Sequence, residues 1–250
     1  MTFRVVLLWL ATVTAVAAAE SDFTVASNII DPDKEGQELA ARLRSAGPDG
    51  SADFQGVLGL TAHNGTVRKI PLRSHVELTS TNWQATYEAL QPDGSVGSRL
   101  AIVHAAGRTN VYWVSSATNA TPSGPADLAS PFAGSDFSLQ DLGLEFYHWP
   151  RQRALRSEMS RGRACRVLES VQPNPLPGGY GRVVSWIDLE TGGLLQAEAY
   201  LPGNPKPLKK FSLGSFEKLN GHWHLRDMRI RNLRTGTQTE LKFDLRKKAE

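Results

Sequence analysis

Two periodicities divide the chain. Over 33–46 the apolar positions recur at helical spacing: Leu39 and Leu43 are four apart with Ala40 beside them, which places them on one face of a helix. Asp31 or Asp33 can cap its start, Glu35 and Glu38 suit its positive end, Arg42 and Arg44 its negative end, and Gly47-Pro48 stops it. Beyond that point apolar and polar residues alternate, the period of a strand with one buried face. Strands are predicted over 54–61, 66–72, 75–79, 83–87, 99–105 and 110–115, with turns at Asn64-Gly65, Pro92-Asp93-Gly94 and Gly107. The links are too short for crossover helices, so this is an antiparallel meander.

The stretch 118–133 carries Pro122, Pro125 and Pro131 among Ser, Gly and Ala and reads as a long loop. Ser138 and Asp141 then stand at capping-box spacing, with Asp in place of Glu or Gln. Leu139, Leu142 and Phe146 share the face of a short helix that Pro150 ends. Alternation resumes over 164–171, 182–189, 194–201, 208–216, 222–232 and 237–245. About eleven strands in one sheet must curl or close to bury a face.

Alternation assigns side chains to faces. Trp83, Ala85 and Tyr87 share one face, as do Leu100 and Ile102, Val111 and Trp113, Val184 and Trp186, and Leu241, Phe243 and Leu245. Such faces are the candidate inner walls. Leu39, Leu43, Leu139, Leu142 and Phe146 are the candidate cover.

The N-terminus changes the compartment. Arg4, the apolar run Val5 to Val16 and Ala17-Ala18-Ala19 form a secretory signal over 1–19, leaving one domain over 20–250. With 40% hydrophobic residues the chain is not disordered, and one cysteine, Cys165, excludes a disulfide scaffold. Cys165 is expected to be a buried small hydrophobe. The net charge of +3 hides an asymmetry: residues 20–150 hold 8 basic and 15 acidic side chains, whereas 151–250 hold 19 and 10. The basic half suits an anionic membrane surface, and secretion argues against nucleic acid.

Catalytic signals are weak. His222 and His224 lie on one strand face, but a third ligand is not evident nearby, with Asp188 and His148 the distant candidates. Ser215-Phe216-Glu217-Lys218 has the Ser-x-x-Lys spacing without companion motifs. Gly178-Gly179-Tyr180-Gly181 lacks the Lys-Ser/Thr of a phosphate loop. Arg151, Arg153 and Arg156 form a basic cluster, read as a solvated face or a lipid-phosphate contact. We expect no catalysis, metal or cofactor.

The stretch Ala133-Gly134-Ser135-Asp136-Phe137-Ser138-Leu139-Gln140-Asp141-Leu142 resembles one found in LolA-like outer-membrane lipoprotein-sorting proteins. The downstream order matches as well: Val183-Val184-Ser185-Trp186-Ile187-Asp188, Lys209-Lys210-Phe211, Gly221-His222-Trp223 and Thr235-Gly236-Thr237-Gln238-Thr239. The resemblance covers roughly Asp53 to Leu245 and marks Gly134, Ser135, Asp136, Phe137 and Asp141 as the family motif. It implies an α+β, mainly β fold of the LolA/LolB kind, a half-open antiparallel β-barrel closed by short lid helices. It also implies a periplasmic carrier or chaperone that binds acyl chains of lipoproteins or other amphiphiles. Partners would be an inner-membrane donor and an outer-membrane acceptor. The cavity would be walled by Trp83, Ala85, Tyr87, Leu100, Ile102, Val111, Trp113, Val184, Trp186, Leu241 and Phe243, under a lid carrying Leu39, Leu43, Leu139, Leu142 and Phe146. The chain departs from the shuttle proper in its Pro-rich loop and Arg-rich second half. The alternative reading is a non-catalytic envelope interaction module with a filled barrel.

Overall fold

A computed structural model describes residues 29–245 other than 49, 106, 117–118, 123–127 and 220–221. The signal segment 1–19 lies outside the described residues. The first element is helix α1 (Pro32–Ser45), capped by the Asp31 carboxylate, which accepts from the Lys34 N–H at 3.0 Å. Strands β1 (Ala52–Thr61), β2 (Val67–Leu78), β3 (Asn82–Leu90), β4 (Val96–Ala105), β5 (Val111–Ser116) and β6 (Asn119–Pro122) follow as a meander. Helix α2 (Leu139–Leu142) and a 3-10 turn (Glu145–His148) interrupt it. The second run comprises β7 (Arg151–Ser160), β8 (Arg163–Val171), β9 (Arg182–Asp188), β10 (Leu194–Tyr200), β11 (Lys209–Leu213), β12 (Phe216–Leu219), β13 (His222–Leu225), β14 (Asp227–Asn232) and β15 (Gln238–Asp244).

Thirteen strands form one sheet in the order β6-β5-β4-β3-β2-β1-β15-β14-β11-β10-β9-β8-β7, and β12 and β13 form a separate hairpin. Every pairing is antiparallel. The link between the two runs is β1 against β15, with Leu58 opposite Leu241. Among the described residues the terminal strands β6 and β7 do not pair with each other, so the barrel is half open.

The strand count exceeds expectation for identifiable reasons. Residues 151–160 read as a basic surface cluster, but they form an edge strand, where charged side chains are tolerated because one side of the ladder is free. The long strand expected over 222–232 breaks at Arg226, and that over 208–216 breaks at Gly214-Ser215. Strand β6 forms within the stretch 118–133 that was expected to be a loop, pairing with β5, and conversely the two strands expected over 66–79 are one.

The inner face carries the main core. Leu58, Leu72, Leu100, Ile102, Leu168, Ile187, Leu194, Ile230 and Leu241 are almost wholly buried, each contributing about 1.5–3 kcal/mol. A second, smaller cluster lies on the opposite face of β8–β10: Cys165, Val167, Val184, Trp186 and Tyr200. There the Cys165 thiol is pushed up to about 11, first by burial and then by the Asp188 charge, so it behaves as a small hydrophobe. Helix α1 lies flush on β7: a Cβ on Gly36 would sit 2.5 Å from the Arg153 Cα. Glu35 pairs with Arg166 at 2.6 Å, and Gln37 donates to the Pro150 carbonyl at 3.0 Å.

Candidate functional site

The segment 128–150 lies against the inner face and closes the barrel. Phe132, Phe137, Leu139 and Phe146 point into the main core, joined from α1 by Leu39, Ala40 and Leu43 and by the partly buried Leu142. Four of the five expected lid residues, Leu39, Leu43, Leu139 and Phe146, therefore sit in the core, and Leu142 packs half-buried against it. Phe137 meets Phe211 edge-on at 6.2 Å, and Phe132 meets Tyr87 edge-on at 6.4 Å. Burial pushes the Tyr87 phenol up to about 12.

The lid joins the sheet through side chains. Pro131 and Ser138 form an isolated bridge, and the Phe132 N–H donates to the Phe137 carbonyl, folding 131–138 into a small loop. That loop needs left-handed backbone at Ala133 (φ 50°) and Gly134 (φ 68°). Asp136 grips β15: its carboxylate accepts from the Thr237 and Thr239 hydroxyls at 2.6 and 3.0 Å, and its N–H donates to Thr239 Oγ1 at 2.9 Å. Asp141 is the second anchor. It accepts from the Ser138 N–H (2.8 Å) and Oγ (2.6 Å), from Tyr180 Oη (2.9 Å) and from Lys209 Nζ (3.2 Å). Lys209 also donates to the Asp136 carbonyl at 2.7 Å. The Tyr180 phenol is raised well above its ordinary value, by burial first and then by the Asp141 charge, so it donates at any physiological pH. Asp136 and Asp141 thus tie the segment 128–150 to the sheet.

A third anchor involves the turn after α2. Tyr112 Oη donates to Glu145 Oε2 at 2.8 Å, and Asn110 Nδ2 donates to the Gly143 carbonyl at 2.8 Å and to Glu145 Oε2 at 3.2 Å. A Cβ on Gly143 would fall on Tyr112 Oη. Burial pushes Glu145 up to about 6, against the opposing hydrogen bonds from Tyr112 and Asn110. His104, stacked on Trp83 at 3.8 Å, is held down to about 4, by burial first, against the Asn110 hydrogen bond and with the His148 charge adding to the shift. His148 is held down to about 4 by burial and by the Arg44 charge. Finally, the buried Gln152 donates to the Phe146 and Trp149 carbonyls at 2.9 and 3.0 Å, tying the turn to β7.

Seven of the eleven expected wall residues share the inner side: Trp83, Ala85, Tyr87, Leu100, Ile102, Leu241 and Phe243. Four do not. Val111 and Trp113 are 47% and 40% exposed, because β5 turns Tyr112 and Val114 inward. Val184 and Trp186 belong to the cluster on the opposite face, and Val183 and Ile187 point inward. In β5 an inward tyrosine, satisfied by Glu145, displaces the expected parity. In β9 six of seven residues are buried, so alternation carries no signal.

The interior is packed. The void beneath the lid is about 10 Å³, lined by Leu144, Phe146, Val183, Ala199, Phe211 and Ile230, with Asp141 and Lys209 beside it. That is about the size of one water. Among the described residues no cluster of three or more His, Cys, Asp or Glu is placed to hold a metal, and no helix is long and apolar enough to cross a membrane. The side chain of His222 lies outside the described residues.

Sequence reasoning missed Tyr180, Tyr112, Asn110, Glu145 and Gln152 as lid anchors. Lys209, Thr237 and Thr239 were within the ordered set that carried the resemblance, and in the structure they converge on Asp136 and Asp141.

This half-open sheet, roofed by short helices pinned through two aspartates, is a LolA-like fold. A DUF1329 family protein from Desulfovibrio piger aligns with a TM-score of 0.69 at 21% identity, over 86% of this chain and 92% of that one. A protein domain from Vibrio parahaemolyticus, described as outer membrane lipoprotein-sorting, aligns with a TM-score of 0.66 at 22% identity, over 84% and 91%. A LolA superfamily protein from Nitrosomonas europaea aligns with a TM-score of 0.59 at 16% identity, over 86% and 92%. At these identities the likeness is one of fold. No curated protein matches the sequence. A family described as "Uncharacterized protein" matches residues 90–248, and the chain belongs to that family.

Proposed function

We propose that this chain is a non-catalytic carrier of the bacterial envelope that takes acyl chains, of lipoproteins or other amphiphiles, into the interior of its half-open sheet. The observation that carries this reading is how the interior is roofed. Phe132, Phe137, Leu139 and Phe146 cover an apolar surface, yet the lid is fastened by side-chain anchors at Asp136, Asp141 and Glu145. A roof held by a few polar anchors can lift without unzipping the sheet.

The energetics suit a carrier. Each buried methylene contributes about 0.8 kcal/mol, so a chain of ~16 carbons gains roughly 13 kcal/mol over water. A bilayer offers nearly the same, and displacing the lid residues subtracts from it. The carrier is then close to neutral against the membrane, and direction comes from an inner-membrane donor and an outer-membrane acceptor. The signal at 1–19 would deliver the domain to the periplasm. Lys206, Lys210, Arg229, Arg231 and Arg234 in the basic half would meet anionic head groups.

The cargo site would comprise Ala85, Tyr87, Leu100, Ile102, Leu241 and Phe243, together with Tyr112, Val183, Ile187 and Ile230. The 10 Å³ void favours a second reading, an interaction module with a permanently filled barrel. Lipid extraction of protein purified from the envelope fraction, followed by mass spectrometry, separates the two. Co-purified acyl lipid supports the carrier. Absence of lipid, together with no binding of a fluorescent fatty acid, leaves the filled module.

A further inference from the structure

The outer face of β1–β5 carries a concavity of about 760 Å³, within the size range of small-molecule sites. Cross-strand register explains it. One row runs Arg73, Glu88, Arg99, Ser115 across β2 to β5, and the next runs His75, Thr86, Ala101, Trp113. Thr86 and Ala101 are small, so the second row is low in the middle. The arginine row forms one wall, Trp113 stands at one end, and His75, paired with Asp53 of β1, stands at the other.

The chemistry of the arginine wall is unbalanced. Glu88 alone neutralises two guanidinium groups: Arg99 reaches Oε1 through Nε (2.7 Å) and Nη2, and Arg73 Nε lies 3.2 Å from Oε2. The triad is net +1, two guanidinium groups sharing one carboxylate. Glu88 is the most covered of the three, with 15% of its side chain exposed, whereas the arginines are 36% and 49% exposed. Diagonally from Arg99 on the same face, Trp113 exposes 40% of its surface. An aromatic this exposed beside a cationic fork suits a ligand with a planar or apolar part next to an anion.

We infer that this outer groove is a second binding site, independent of the interior, for phosphate monoesters or diesters: the phosphate on Arg73 and Arg99, the adjoining group over Trp113. The Asp53–His75 end limits the anion to the arginine side. The phosphate could come from a soluble ester or from a lipid head group, and both sources offer the same chemistry to the two arginines.

The test is titration calorimetry of the mature chain with phenyl phosphate, and sedimentation with phosphatidylglycerol vesicles, against Arg73→Gln, Arg99→Gln, Trp113→Ala and Glu88→Gln. All four side chains lie on the outer face, and circular dichroism checks folding. Loss of Arg99 or Arg73 should weaken binding about tenfold or more, as expected for a charge-assisted hydrogen bond. Trp113→Ala should weaken it about threefold. Glu88→Gln should tighten it, because the competing negative charge between the two guanidinium groups is removed. This pattern with phenyl phosphate identifies a soluble ester, and the same pattern with vesicles alone identifies a head group. Each outcome supports the site. Binding of neither probe, or binding that these variants leave unchanged, overturns it. A fatty-acid titration of the interior is unaffected by these variants, so failure here is distinguishable from failure of the carrier reading.

Discussion

The two faces of β3–β5 differ in a way that alternation alone does not reveal. Inside, Leu100, Ile102 and Tyr112 are buried in the core with Phe132, Phe137 and Phe146, and a void of about 10 Å³ lies beside Phe146. Outside, Thr86, Ala101 and Trp113 border about 760 Å³. The face expected to hold a ligand is packed against the segment 128–150, and the opposite face is hollow beside Trp113. An apolar face is open to any apolar partner, and here the segment 128–150 of the same chain covers it. The outer face keeps its hollow because Thr86 and Ala101 are too short to fill the middle of their row.

Truncation should expose this contrast most strongly. Leu100→Ala removes a wholly buried side chain and should cost about 4 kcal/mol in denaturant unfolding. Asp141→Ala removes the counter-charge of the mostly buried Lys209 ammonium and the carboxylate acceptor of the Tyr180 hydroxyl, and should cost about 3 kcal/mol. Gly143→Ala should cost about 1–3 kcal/mol by forcing the turn off Tyr112. Trp113→Ala should change stability by no more than about 0.5 kcal/mol. If Trp113→Ala matched Leu100→Ala, the assignment of faces would be wrong.

Acidification should sharpen the comparison more gently. His104 and His148 are held down to about 4, so the unfolded chain takes up their protons near the ordinary value of 6.5 while the folded chain resists until near 4. Their contribution to stability is lost as pH falls from about 6.5 to about 4. Glu145 opposes this: raised to about 6 against an ordinary 4.5, it adds stability as pH falls across that window. Two imidazoles outweigh one carboxyl, so the thermal midpoint should fall by several degrees from pH 7 to pH 5. Replacing His104 with Asn should flatten the profile. A midpoint that rises on acidification would mean that Glu145 dominates.

Much of the architecture was legible where local chemistry and tertiary packing agree. Helix α1 lies within one residue of its expected ends, because cap, dipole and stop signals coincide. Asn64-Gly65 and Pro92-Asp93-Gly94 turn the chain where expected, each with its glycine at φ 83°. Strand β7 was hidden because Arg151, Arg153 and Arg156 mask a strand whose neighbours are supplied by β8 and α1. The face of β5 was misread because Tyr112 is polar at its tip, and only Glu145, 33 residues away, makes it an interior residue. The anchors were legible as a motif but not as a mechanism. Nothing local in Asp141 announces Tyr180 and Lys209, which come from a loop and a strand far along the chain.

The carrier account has one central claim: the interior accepts an acyl chain when the lid lifts. Lid opening taxes affinity by the fraction of molecules that are open. Titrating a fluorescent fatty acid into the wild-type protein and Tyr180→Phe, which removes one hydroxyl anchor from Asp141, tests this directly. The account predicts binding to both, tighter in the variant. Two folded proteins that bind no fatty acid, or bind it with equal affinity, would contradict it.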